Sequence, residues 1–174
     1  MTTRMRLLSV VGVACLTAVA ARPAHAQGWK FGPEVSFATQ SVGIGIGARA
    51  VLDLEKMVPS AKNISVSGQF DYFFPSSSFG ISPSYWEINL NGAYHFPLSG
   101  SKLVPYAGAG LSVAHTSVSV NVGGTNISGS STDVGLNLLG GTTFPKMGKV
   151  TPFGELRLEL RSGSVLVVTG GVLF

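Results

Sequence analysis

Charge and thiols are what this chain has least of. Charged residues make up 11% of its 174 positions, against about a quarter in an ordinary soluble domain. The single cysteine, Cys15, lies in the N-terminal leader described below, so the remainder has neither a disulfide framework nor a thiol nucleophile. His95 and His115 are isolated, and no metal-ligand spacing exists. Long apolar runs are missing too. Hydrophobic residues reach 45%, yet after residue 26 no stretch approaches the roughly 20 apolar positions a membrane helix needs. A chain that is apolar in total but never for long fits many short strands.

Residues 1–26, "MTTRMRLLSVVGVACLTAVAARPAHA", have a different character. Arg4 and Arg6 precede an apolar run from Leu7 to Ala21, and Ala24-His25-Ala26 follows. A basic start, an apolar middle and an A-x-A site predict a secretory signal peptide cut after Ala26, leaving residues 27–174 as one domain. Without Arg4, Arg6 and Arg22 the twelve basic residues become nine against eight acidic ones, a net of +1. The basic pI therefore gives no reason to expect a nucleic-acid partner.

What is abundant is alternation. Segments near 30–38, 42–54, 63–74, 84–96, 104–118, 132–144, 150–161 and 164–174 each alternate bulky apolar residues with small or polar ones, and turn residues separate them. In 84–96, Trp86, Ile88, Leu90, Tyr94 and Phe96 oppose Glu87, Asn89, Asn91 and His95. In 150–161, Leu156, Leu158 and Leu160 oppose Glu155, Arg157, Glu159 and Arg161. The count is eight strands, an even number. At about 3.3 Å per residue and 40° tilt, ten residues rise about 25 Å, the height of the apolar band of an outer-membrane barrel.

The interior of an eight-stranded barrel is only wide enough to be filled by side chains. Glycine, serine, asparagine and alanine dominate one face of the strands, and large aliphatic and aromatic residues the other. Small residues belong where space is limiting, so the apolar face is expected to meet lipid. The charges agree. None falls on the apolar face, where an Arg at the bilayer midplane would cost about 2–4 kcal/mol. The expected lumen cluster is Glu34, Arg49, Glu87, Glu155, Arg157, Glu159 and Arg161, with the arginines pairing the carboxylates. A soluble lipocalin-like barrel would show the opposite pattern, with a greasy bore and a charged exterior.

Aromatics sort to strand ends. Trp29, Phe31, Tyr94, Phe96, Phe144 and Phe174 mark one end and Tyr72, Phe74, Tyr85 and Trp86 the other, as two interfacial belts require. With eight strands both termini share a side. The connections on that side, 55–62, 97–103 and 145–149, are expected to be periplasmic. The longest outer connection, Ser119 to Ser131, reads as a flexible, uncharged loop.

Two motifs suggest chemistry and do not hold it. Gly43-x-Gly45-x-x-Ala48 resembles a dinucleotide fingerprint, but no strand-to-helix passage surrounds it. Those glycines read as bore positions that leave room for Arg49 and its neighbours or let the sheet curve. His115-Thr116-Ser117 resembles the His-x-Ser-Asn of lipid A-modifying barrels, but Val118 stands where asparagine is needed.

The leader ending "AHA", "VPYAGAGLSV" at 104–113, "TPFGELRLELR" at 151–161 and the terminal Phe174 together resemble the small bacterial outer-membrane β-barrel family, the opacity-protein and OmpX-like class. The resemblance implies an all-β, eight-stranded antiparallel up-and-down transmembrane barrel in the cell outer membrane of a Gram-negative-type envelope. It implies a monomer surrounded by outer-membrane lipid and lipopolysaccharide, without cofactor or metal. Its last strand, ending at Phe174, would be the assembly signal read by the outer-membrane insertion machinery, although Val172 and Thr169 stand where an aromatic and a glycine are common. The expected role is structural or surface-binding and non-enzymatic, with a narrow porin-like channel as the alternative and a lipid A-modifying enzyme third.

Overall fold

A computed structural model describes residues 28–40, 42–75, 81–122 and 125–174. The expected leader, with its cleavage site after Ala26, and Cys15 lie outside the described residues, as do Ser41, residues 76–80 and Gly123-Gly124. Eight strands follow in order: β1 (Trp29–Ala38), β2 (Gly43–Asp53), β3 (Ile64–Phe74), β4 (Ile81–His95), β5 (Val104–Val122), β6 (Thr125–Thr143), β7 (Thr151–Leu160) and β8 (Val165–Leu173). Each pairs antiparallel with the next, and β8 returns to β1 to close the barrel.

The alternation decides the register. Because side chains repeat every two residues, one slip would turn an entire apolar face inward. Every bulky face points outward: Ile44 and Ile46 on β2, Ile88 and Leu90 on β4, Leu136 and Leu138 on β6, Leu156 and Leu158 on β7. Leu136 keeps 58% of its surface exposed and Leu90 57%, as expected where hydrocarbon, not water, lies outside. Of the polar faces, Glu34, Arg49, Gln69, Glu87, Asn137 and Arg157 are all buried.

Two expectations change. The 119–131 segment is not a loop: β5 and β6 continue as a paired hairpin to Val122↔Thr125. Serine and threonine alternating with Val118, Val120 and Ile127 are sound strand residues, and a Ser/Gly-rich composition masked that. Tyr85 does not belong to the outer aromatic belt. It is 5% exposed and points into the bore, with Phe73, Tyr106 and Phe153. The rule that bulk stays outside fails at these positions for a spatial reason. Phe73 pairs across the ladder with Gly45, Tyr106 with Gly141 and Phe153 with Gly171. A β-carbon at those glycines would lie 2.7, 2.5 and 2.7 Å from the aromatic ring it faces. The missing side chain on one strand supplies the volume for the ring on the next.

On the termini side residues 54–63, 96–103 and 144–150 connect the strands. Asp53 leads into a single 3-10 turn, Leu54–Lys56. Met147 and Val150 bond reciprocally across Gly148-Lys149, with Gly148 at φ +65°, as a two-residue hairpin turn with glycine first requires.

Candidate functional site

The bore holds two arginine-centred clusters, one above the other. Arg49 of β2 forms the lower one. Its Nε donates to Glu34 Oε2 at 2.6 Å, and its two terminal nitrogens grip Glu155 at 2.8 and 2.9 Å. Tyr106 donates its hydroxyl to the same Glu155 at 3.0 Å. The Phe153 ring lies against the guanidinium, 4.3 Å from centroid to Cζ, a desolvated cation–π contact.

Arg157 of β7 forms the upper cluster and is fully buried. It donates to Glu159 at 3.0 Å, to Gln69 at 2.7 Å and to Glu87. Asp71 and Glu155 stand 3.7 and 3.6 Å from its terminal nitrogens, so Glu155 links the two clusters. Only a planar five-donor guanidinium serves so many acceptors at once, and a lysine would leave most unpaired. Arg161 caps the group, 2.9 Å from Glu159 and 5.4 Å from the Tyr85 ring. Tyr85 and Asn89 each donate to Glu87 at 3.0 Å. Asn137 donates to Asn89 and Asn91 at 2.9 Å, and Ser36 bridges Asp71 and Thr169 at 3.1 and 2.9 Å.

All seven residues of the expected charge cluster therefore lie in one connected bore network. Sequence reading left Asp71, Gln69, Tyr85 and Tyr106 out of it. Asp71 had already fallen on the polar face of its strand, but its role depends on register: it sits directly opposite Glu87. Five carboxylates (Glu34, Asp71, Glu87, Glu155 and Glu159) face three guanidiniums, and Glu34 Oε1 accepts no hydrogen bond from the protein.

Below Arg49 a chamber of about 30 Å³ reaches His95, Tyr106 and Phe153. Next to it, with Val51 and His95 in both linings, a vestibule of about 520 Å³ lies at the termini side, lined by Lys30, Asp53 and Lys56 among others. His95 packs at a tilt against Tyr106, 5.3 Å between ring centres, and bonds Ser65 Oγ at 2.8 Å, so it fills the bore wall. Among the described residues no group of three or more His, Cys, Asp or Glu could hold a metal.

This geometry is that of a membrane-crossing cylinder, and comparison with known proteins agrees. Residues 11–145 match the model of the outer membrane protein beta-barrel domain. The chain belongs to that family. Among solved structures, Neisserial surface protein A is similar at TM-score 0.60 and 18% identity, covering 83% of this chain and 94% of that one. The N-terminal barrel of Pseudomonas aeruginosa OprF is similar at 0.58 and 16%, covering 83% and 96%. Ail, the attachment invasion locus protein of Yersinia pestis, is similar at 0.55 and 14%, covering 84% and 93%. At these identities the likeness concerns the fold. No curated protein sequence matches the chain.

In bacterial outer-membrane barrels the side that carries the termini is the periplasmic one. At the seam Phe174 donates its amide to Phe31 O at 2.9 Å, and its ring is exposed on the lipid side. His115 also sits on the outer wall, stacked on Trp86 at 5.2 Å, with Nδ1 2.8 Å from Thr132 Oγ1. Among the described residues no hydrogen bond joins it to Ser117, the pairing that a nucleophilic serine would need.

Proposed function

We propose that this barrel is non-enzymatic, that its bore is shut, and that its role is played at the outer surface, either by contact with other molecules or by bracing the envelope. The observation that carries the reading is the contrast between its two ends. At mid-height the Arg49 and Arg157 clusters fill the lumen. At the outer end β6 runs well past its neighbour β7. The β6–β7 ladder stops at Leu136↔Leu160, which leaves the backbone of residues 125–135 paired in a ladder on one side only, roughly 35 Å of strand. With β5 and the start of β4 they make a three-stranded sheet beyond the rim. Its free edge has no lysine or proline and only Asp133 as a charge, so it lacks the usual devices that blunt an edge. Lipid and lipopolysaccharide surround the wall in this reading, and the strand ending at Phe174 serves the insertion machinery.

Replacing residues 118–129 with an Asn-Gly turn removes the tip above the Ser117↔Ser130 pair. The shortened barrel is expected to keep its heat-modifiable migration on gels, while cells displaying it lose the surface attachment that the full chain confers. Equal attachment by both forms would remove the hairpin from the function.

The vestibule and chamber below Arg49 favour a second reading, a narrow channel. Planar-bilayer recording separates the two. The wild type is expected to pass no steady current, and Arg157→Ala to open one by breaking the upper cluster. Steady wild-type current would replace the shut-barrel reading with the channel.

A further inference from the structure

The lysines of this chain lie at one end. Lys30 opens β1 and pairs with Asp53 at 2.8 Å. Lys56 and Lys62 are in the β2–β3 turn, Lys102 in the β4–β5 turn, and Lys146 and Lys149 in the β6–β7 turn. These five are exposed and, among the described residues, form no ion pair. The outer connections contain no lysine, and Arg161, the one arginine at that end, is held by Glu159.

Each of the three turns also exposes a large apolar side chain next in sequence to one of its lysines: Met57 after Lys56, Leu103 after Lys102 and Met147 after Lys146 are 63%, 41% and 64% exposed. They lie just beyond the belt of Trp29, Phe31, Tyr94, Phe96 and Phe144. A lysine next to an exposed apolar residue, repeated three times around a rim at a membrane boundary, is the arrangement of an interfacial contact. The apolar group enters the acyl boundary and the ammonium reaches the phosphate plane. A water-soluble periplasmic polyanion would account for the lysines but leave the apolar partners without a role.

We propose that the periplasmic turns form a lysine ring that binds anionic phospholipid headgroups of the inner leaflet, so that this barrel gathers a shell of charged lipid on its periplasmic side. The test is spin-label electron resonance on the full barrel in phosphatidylcholine vesicles, comparing the association of spin-labelled phosphatidylglycerol and phosphatidylcholine. The wild type is expected to prefer the anionic label at least about fivefold, the factor that one lysine near a charged surface supplies. The preference is expected to fall toward unity in the variant with all five turn lysines changed to glutamine, and in wild type at 1 M salt, where screening is nearly complete. The salt arm stands even if that variant fails to fold. Equal association of both labels with wild type would overturn the proposal. So would a preference that survives both the lysine changes and salt. Lysine-dependent sedimentation with peptidoglycan sacculi in the absence of lipid selectivity would overturn it in favour of a cell-wall contact.

Discussion

Arg157→Met is expected to destabilise the barrel by about 3–5 kcal/mol, the range for removing one partner of a buried ion network. The side chain is fully buried and donates to Glu87, Glu159 and Gln69. Methionine fills much of its volume, so the loss would reflect charge and not a cavity. It would leave Glu87, Asp71 and Glu159 facing one another with only Arg161, at the rim, to balance them. The triple variant Arg157→Met, Glu87→Gln, Glu159→Gln is expected to recover most of the loss, because a network neutralised on both sides is close to an apolar or amide core in stability. Urea unfolding in lipid vesicles, read by gel migration or tryptophan fluorescence, measures both. A single variant as stable as wild type would mean that the cluster is decoration, and an unrescued triple would mean that shape matters more than charge.

Gly32→Ala is expected to cost about 3 kcal/mol, near the top of the usual range for forcing atoms into a packed site. The added β-carbon would fall 1.6 Å from the Val172 carbonyl oxygen, a backbone atom that cannot rotate away. The site also lies on the β1–β8 seam. The seam ladder runs only from Ala38↔Val167 to Glu34↔Gly171, and Pro33 beside the glycine can donate no hydrogen bond. Gly170→Ala is the matched control. It lies across the same seam, on β8, but it faces lipid with nothing within 4 Å of the new carbon. It is expected to be neutral, or slightly stabilising through reduced freedom of the unfolded chain. The two substitutions are chemically identical, so the difference in their unfolding midpoints reads out crowding at the seam. Equal midpoints would show that the seam yields easily.

Strand number, order and the direction of each face were legible because a two-residue period carries them at every position. The Leu156-Arg157-Leu158-Glu159 stretch could belong to only one kind of barrel once the aromatic residues were placed. Three-dimensional pairings were not legible. Asp71 joins the Arg157 cluster because register sets it opposite Glu87. Phe73 and Tyr106 turn inward because Gly45 and Gly141 lie across from them. A sequence shows each residue of such a pair but not that they meet. The outer hairpin was missed for another reason: serine and glycine usually signal loops, and here the valines between them, paired to a neighbouring strand, prevailed.

Every joint in the wall but one links strands that follow each other along the chain. Such hairpins close with short intervening loops at little entropic cost and can form in succession. The exception links residues 34–38 to 167–171, and with five residue pairs it is the shortest ladder of the eight. Assembly therefore amounts to rolling up a sheet whose two free margins meet last. Whatever threads this polypeptide into a bilayer must shelter both margins until they find each other, and the join they make is the first place the cylinder would come apart when heated.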